Sequence, residues 1–221
     1  MTPPRTALLA GATGLVGSHV LAQLLDSPLW TNVVTIGRRT APQRHNKLEQ
    51  RVADLGALEA MADLPRADDV FCCLGTTIKQ AGSQQAFRRV DHDFVVSYAR
   101  AGLRAGATQF LLVSAIGADP GSRIFYSRVK GEAESAVRQL SYRAVQIFRP
   151  SLLLGARAEF RFGERVAMLA APVLSLLLPG PLHRYRPIRA ETVAGAMVRI
   201  AREAPRGPNV FEFDAMQSSA A

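Results

Sequence analysis

Short, mostly apolar runs alternate with longer, helix-like stretches along the first two thirds of the chain. The apolar runs predict strands at residues 7–10, 33–36, 70–74, 110–113 and 144–148. The longer stretches predict helices at residues 15–25, 56–62, 84–105 and 126–140. Because the runs at 70–73 and 110–113 are continuously apolar, they resemble strands that are buried on both faces of a parallel sheet. The pattern therefore predicts an α/β fold with a doubly wound parallel sheet.

The pattern changes after Pro150. A leucine-rich stretch at 166–178 is interrupted by Pro172, and a Pro-Gly-Pro break at 179–181 precedes a predicted helix at 191–203 and a strand at 209–213. We expect one domain over residues 1–221, in which residues 151–221 contribute a small cap on the substrate side. The leucine-rich stretch is too short to span a bilayer. It predicts a buried or substrate-covering helix pair and no stable membrane insertion.

A glycine turn follows the first predicted strand and opens the first predicted helix. Gly11, Gly14 and Gly17 have GxxGxxG spacing. In a strand–turn–helix context such glycines let the backbone approach a pyrophosphate, which then lies at the positive end of the helix. A turn that simply needs small residues would show the same glycines. The cofactor contacts predicted from this segment are Gly11, Thr13, Gly14, Leu15, Val16 and Gly17.

Two arginines follow the second predicted strand, at Arg38 and Arg39. An acidic residue would hold the ribose 2′-hydroxyl of NAD at about this place, roughly 20 residues beyond the glycines. Guanidinium groups instead suit a 2′-phosphate, because they make paired, charge-assisted hydrogen bonds. The sequence predicts that NADP(H) is preferred over NAD(H), although two arginines in an exposed loop would look the same.

Further cofactor contacts are expected in the loops that follow other strands, at Asp54, Leu55, Leu74, Gly75, Thr76, Pro150 and Ser151. Asp54 has two interpretations: it accepts a hydrogen bond from the adenine amino group, or it caps the helix predicted near Gly56.

Ser114, Tyr126 and Lys130 are the candidate catalytic residues. Tyr126 and Lys130 are four residues apart, so they share one face of a helix. An ammonium beside the phenol favours tyrosinate and lets the tyrosine exchange a proton near neutral pH. Ser114 follows the strand predicted at 110–113 and would hydrogen-bond the same substrate oxygen. Lys130 would also hold the cofactor ribose.

Charge and cysteine content exclude some other classes. The net charge of +9 would suit nucleic acid, but the basic residues are dispersed and no nucleic-acid-binding motif accompanies them. Cys72 and Cys73 are adjacent, which makes a disulfide between them implausible and favours a reducing compartment. The four histidines have no metal-ligand spacing, so no metal is expected. Without a visible secretory signal, a cytoplasmic location is predicted.

Taken together, these residues resemble the short-chain dehydrogenase/reductase superfamily, and especially its atypical, Tat-interacting-protein-like oxidoreductases. The similarity is strongest in CLGTT at 73–77, FRRVD at 87–91, YSRVKGE at 126–132 and FRP at 148–150. It implies a Rossmann fold, NADPH and a Ser-Tyr-Lys site, but no particular substrate. Many members carry an Asn that supports a proton-relay water on the helix after the fourth strand, where this chain offers Asp91.

Three functions remain open at this level. The first is an NADPH-dependent oxidoreductase that acts on a small carbonyl or alcohol through Ser114, Tyr126 and Lys130. The second is a non-catalytic NADP(H)-sensing protein. The third is a nucleotide-sugar epimerase or dehydratase, which is disfavoured because only about 70 residues follow Pro150. The expected partner is a small-molecule substrate, with homodimerisation common in the superfamily.

Overall fold

The computed structural model describes residues 3–58, 64–155 and 180–220. Within these residues, seven parallel strands form one sheet and two short strands pair separately in parallel. The strands are β1 Arg5–Ala10, β2 Trp30–Gly37, β3 Leu48–Val52, β4 Asp69–Cys72, β5 Gln109–Val113, β6 Ala144–Phe148, β7 Leu153–Leu154, β8 Ile188–Arg189 and β9 Gly207–Phe211. The sheet order is β3-β2-β1-β4-β5-β6-β9, and β7 pairs with β8.

Helices cover both faces of the large sheet. The described helices are α1 Leu15–Asp26, α2 Ile78–Ala81, α3 Gln84–Arg88, α4 Phe94–Arg104, α5 Phe125–Arg138, α6 Ala190–Glu203 and α7 Phe213–Ala220. A π-helical segment, Arg89–Asp93, joins α3 to α4, and a 3-10 segment spans Gly180–Tyr185. Apolar side chains of α1 and α6 form one core cluster, and those of α4 and α5 form the other. This is the doubly wound arrangement that the sequence predicts.

Burial explains why the central strands read as continuous apolar runs. Every residue of β4, β5 and β6 is buried, because helices cover both sides of the sheet at its centre. The adjacent Cys72 and Cys73 pack with opposite core clusters, as expected for neighbours in an extended chain, and both are free thiols.

Several predicted elements differ in the structure. The strand predicted at 209–213 is β9, which ends at Phe211, and Phe213 begins α7. The helix predicted at 84–105 is divided into α3, the π-helical segment and α4. The pattern of apolar residues does not indicate this interruption of the α-helix. The strand predicted at 70–74 ends at Cys72, so Leu74 lies in the following loop. Only the start of the helix predicted at 56–62 is described, as a turn.

Part of the predicted C-terminal cap instead completes the Rossmann layers. β9 pairs with β6 at the sheet edge, and α6 packs against α1. Here the local sequence pattern cannot distinguish a helix that covers the sheet from one that covers a ligand. The leucine-rich stretch at 166–178 lies outside the described residues. Along the described parts of the chain, no helix combines the length and the apolar character needed to cross a membrane.

Candidate active site

A cleft of about 680 Å³ opens at the carboxyl ends of β1, β2 and β4. The predicted cofactor residues that line it are Gly11, Thr13, Gly14, Arg38, Arg39, Leu55, Leu74, Gly75 and Thr76. Among the described residues, the lining does not include Leu15, Val16, Gly17, Asp54, Lys130, Pro150 or Ser151. The loops that the sequence places after three separate strands therefore meet at one site, as the parallel topology requires.

The glycine turn is shaped by close backbone contacts. Gly11 has a φ of 83°, and a Cβ built there would lie 2.4 Å from the carbonyl oxygen of Cys73. A Cβ at Gly17 would lie 2.1 Å from the carbonyl oxygen of Gly11. Only glycine fits these two positions, so α1 begins tightly against the strand ends.

Helix α1 begins directly after Gly14, which lines the cleft. Gly14 is the N-cap residue, and no side chain caps the helix. The first backbone N–H groups, from Leu15, Val16 and Gly17, therefore have no intrahelical acceptor. Because the Val16 side chain is buried in the core, these residues would serve a ligand through their amides. Such an arrangement suits a pyrophosphate.

Arg38 and Arg39 lie at the β2 side of the cleft. Both are exposed and line it, and neither has an ion-pair partner among the described residues. Two uncompensated guanidinium groups provide the charge that a phosphate needs. Together with the glycine cradle, they fit an anionic dinucleotide.

Part of the cleft wall is apolar. Leu55, Val90 and Phe94 line the cleft, and their side chains suit the flat face of a base. Sequence reasoning found Leu55 but not Val90 or Phe94, which read as ordinary core positions of a helix. Asp54 Oδ1 accepts a hydrogen bond from the Gly56 amide at 2.9 Å, so the carboxylate closes a local turn, in keeping with the capping interpretation.

Lys130 lies beneath the loop that follows β4. A Cβ built at Gly75 would be 3.6 Å from Lys130 Nζ and 3.4 Å from Asp91 Oδ1. Lys130 Nζ is 2.8 Å from Asp91 Oδ1, and Asp91 Oδ2 accepts a hydrogen bond from the Thr76 amide at 2.9 Å. Helix α5, the π-helical segment and the cleft loop therefore meet at one charged pair.

The pKa of Lys130 is raised above its usual value. Burial acts to lower it, but the nearby Asp91 carboxylate and the Tyr126 phenol outweigh the effect of burial. Tyr126 lies one helical turn before Lys130 and is half-buried, with its ring 5.3 Å from the buried Phe87 ring at an angle of 37°. The predicted Tyr–Lys pair is thus brought together beside the cleft.

Ser114 is engaged in a way that the sequence does not predict. It is buried, and its Oγ donates a hydrogen bond to Glu134 Oε1 at 2.6 Å. Glu134 in turn accepts two hydrogen bonds from Arg149, at 2.9 and 2.7 Å. A serine has one hydroxyl proton, so Ser114 cannot donate it to a substrate carbonyl while it donates to Glu134.

Pro150 and Ser151 connect loops. The Pro150 carbonyl accepts a hydrogen bond from the Ile116 amide at 2.9 Å, and Ser151 Oγ donates to the Arg186 carbonyl. These contacts hold the chain after β6 against the loop after β5 and against the segment before β8.

Comparison with known proteins agrees with this geometry. A family model described as NAD(P)H-binding matches residues 11–155. HTATIP2 of Rattus norvegicus is 38% identical over 167 residues, which cover 74% of this chain and 69% of the relative. Protein fmp52 of Emericella nidulans, named as mitochondrial, is 34% identical over 173 residues, which cover 75% of this chain and 74% of the relative. The chain belongs to the NAD(P)H-binding family, in the atypical short-chain dehydrogenase/reductase group of these relatives.

A solved structure shows the same fold at lower sequence identity. The human epimerase family protein SDR39U1 with NADPH has a TM-score of 0.64 and 20% identity, over 94% of this chain and 74% of that chain. The similarity confirms the Rossmann fold with a parallel sheet flanked by helices.

Proposed function

We propose that the protein is an NADPH-dependent oxidoreductase that acts on a small carbonyl or alcohol, with Tyr126 as the proton donor or acceptor. One observation carries this proposal: the buried Lys130 ammonium connects the loop that lines the nucleotide cleft with the helix that bears Tyr126. In such a site a cofactor can bind in the cleft while a proton is transferred next to it, at Tyr126.

Arg38 and Arg39 support the preference for NADPH. Their exposed guanidinium groups border the cleft, and a 2′-phosphate would give them a charged acceptor. SDR39U1, a protein of the same fold, is described with NADPH. Reduced nicotinamide, when bound, supplies the hydride that carbonyl reduction requires.

Residues of the chain itself would carry out the proton transfer. The Tyr126 phenol would donate its proton to the substrate oxygen, and the Lys130 ammonium would stabilise the phenolate left behind. Ser114 would hold Glu134 and Arg149 against the end of β5, since its proton already goes to Glu134. In this scheme Tyr126 and Lys130 carry the chemistry, and Ser114 positions the site.

Replacing Tyr126 tests the proposal. Wild-type protein is incubated with NADPH and a panel of aldehydes, ketones and quinones, and the loss of NADPH absorbance is followed. We expect Tyr126→Phe to lower turnover at least about 100-fold, because general acid catalysis contributes that much. The NADPH dissociation constant should stay within about twofold, because the variant retains Lys130 and the glycine cradle.

Tyr185→Phe is the matched control, since Tyr185 is an exposed tyrosine on the 3-10 segment. Its turnover should equal that of the wild type. Normal turnover in Tyr126→Phe would show that the proposed mechanism is wrong.

The second candidate is an NADP(H)-sensing protein without turnover. The hydrogen bond from Ser114 to Glu134 favours it, because it removes one of the three donors expected at the substrate oxygen. This candidate predicts tight NADPH binding with no consumption across the panel. It also predicts a difference in partner binding between the NADP⁺ and NADPH forms, measured by pull-down at saturating cofactor.

We also propose a cytoplasmic location, which the free thiols Cys72 and Cys73 support. The fmp52 relative is named as mitochondrial. Cell fractionation with an antibody to the native protein tests the proposal, and recovery in an organelle fraction would contradict it.

A further inference from the structure

Asp91 and Lys130 form an ion pair that is almost fully removed from water. Asp91 is 1% exposed and Lys130 is 6% exposed. Removing two charges from water costs several kcal/mol per ion unless the geometry and further hydrogen bonds compensate. Here Nζ and Oδ1 are 2.8 Å apart, and the second carboxylate oxygen accepts the Thr76 amide proton. Such a pair persists because the surrounding structure holds both partners.

The backbone at Asp91 has an uncommon conformation. Asp91 is the middle residue of the π-helical segment Arg89–Asp93, which lies between α3 and α4. Single π-turns within α-helices occur often at functional sites, because the extra residue changes the direction of a side chain. The change of winding coincides here with the residue that contacts Lys130.

Asp91 is the carboxylate among the groups that face Lys130. The others are the Tyr126 phenol on the same helix and the Cys72 thiol at the end of β4. Burial raises the pKa of Cys72 to about 12, so this thiol is neutral near pH 7. Asp91 therefore supplies the negative charge that opposes the ammonium.

We propose that Asp91 is a positioning residue that keeps Lys130 an ammonium and fixes it beneath the Gly75–Thr76 loop. The ion pair would hold the ammonium in place by charge attraction, and the N–H donors of the ammonium would then serve Tyr126 and the cofactor ribose. The inference rests on the proposed function, because it serves the pair of Tyr126 and Lys130.

An asparagine at this position would act differently. Its amide oxygen could still accept the Thr76 amide proton, but it would carry no charge. Burial would then lower the pKa of Lys130, since desolvation disfavours the charged form. The carboxylate, and not merely a polar side chain, is what the proposal requires.

The test measures Lys130 directly, without substrate or cofactor. Lys47, Lys79 and Lys130 are the lysines of the chain, so carbon-13 labelling of lysine gives few side-chain signals. Lys130→Met assigns the signal of interest. In the wild type we expect the Lys130 Cε signal to titrate above the ordinary lysine range. In Asp91→Asn we expect the Lys130 midpoint to fall by at least about one pH unit.

Asp93→Asn is the matched control, because Asp93 belongs to the same π-helical segment but is exposed. It should leave the Lys130 midpoint unchanged. An unshifted midpoint in folded Asp91→Asn would overturn the proposal. Should that variant not fold, the wild-type measurement decides alone, since a Lys130 midpoint below the ordinary lysine value would also overturn the proposal.

The two proposals fail in distinguishable ways. If Tyr126→Phe retains turnover while Asp91→Asn shifts the Lys130 midpoint, the proposed chemistry is wrong and the positioning role of Asp91 stands. If Tyr126→Phe abolishes turnover while the Lys130 midpoint does not move, the chemistry stands and Asp91 has no such role.

Discussion

At the scale of single residues, the proposed preference for NADPH can be tested at the arginines beside the cleft. Arg38→Ala removes a guanidinium that would contact a 2′-phosphate, and a charge-assisted hydrogen bond contributes about 1.5–3 kcal/mol. We therefore expect NADPH to bind at least about tenfold more weakly, while NADH binding stays unchanged. Fluorescence titrations with both cofactors measure the difference. Arg44→Ala, an exposed arginine that does not belong to the described cleft lining, is the control. An equal loss for NADH would contradict the assignment of Arg38.

At the scale of elements, the position of α5 depends on a close contact with the loop after β5. A Cβ at Gly131 would lie 2.2 Å from the backbone of Asp119 and Pro120. In an open helix position, alanine would stabilise the protein by about 1 kcal/mol relative to glycine. Here we expect Gly131→Ala to destabilise it by about 1–3 kcal/mol, because the helix that bears Tyr126 and Lys130 must move.

Chemical denaturation measures this change. Gly121→Ala is a matched control in the same loop, since a Cβ there would meet its nearest neighbour at an ordinary 3.5 Å. It should change the free energy of unfolding by less than about 0.5 kcal/mol. If Gly131→Ala increased the free energy of unfolding, α5 would not be in tight contact with this loop.

At the scale of the whole molecule, one buried carboxylate connects the amino ends of four strands. Asp69 of β4 accepts hydrogen bonds from Trp30 of β2 at 2.8 Å and from Gln109 of β5 at 2.9 Å, and it pairs with Arg5 of β1. Burial raises the pKa of Asp69 above its ordinary 3.8 and outweighs the attraction of Arg5. The folded protein therefore keeps this proton to a higher pH than the unfolded chain does.

The consequence is a pH-dependent stability with a defined sign. As the pH rises from about 3.8 through the native pKa of Asp69, the unfolded chain binds fewer protons than the folded one, so this group's contribution to stability falls. The wild type should lose stability relative to Asp69→Asn over this window, by at most about 1.4 kcal/mol per pH unit. Urea unfolding at several pH values measures it. As a control, the stability of Asp26→Asn, which is altered at an exposed site, should change with pH in parallel with that of the wild type. A difference in stability between this control and the wild type that grows with pH would contradict the prediction.

The amino-acid sequence by itself determined the elements and the outline of the cleft. Apolar runs predict strands because burial on both faces requires them, and the turn at Gly11 needs glycine because of its local backbone conformation. The spacing of Tyr126 and Lys130 places them on one helix face wherever that helix packs. These properties depend on residues close together in the chain, so a local pattern is enough to predict them.

The tertiary structure alone decided the partners of the buried polar groups. Ser114 donates to Glu134, 20 positions away, and Lys130 pairs with a carboxylate from the preceding helical region. Val90 and Phe94 join the cleft wall only because the π-helical segment and α4 pass beneath β4. A buried donor or charge must have a partner, and the order of the strands and the packing of the helices determine which residue that partner is. The fold therefore pairs Ser114 with Glu134 and Asp91 with Lys130, two contacts that their positions in the sequence do not reveal.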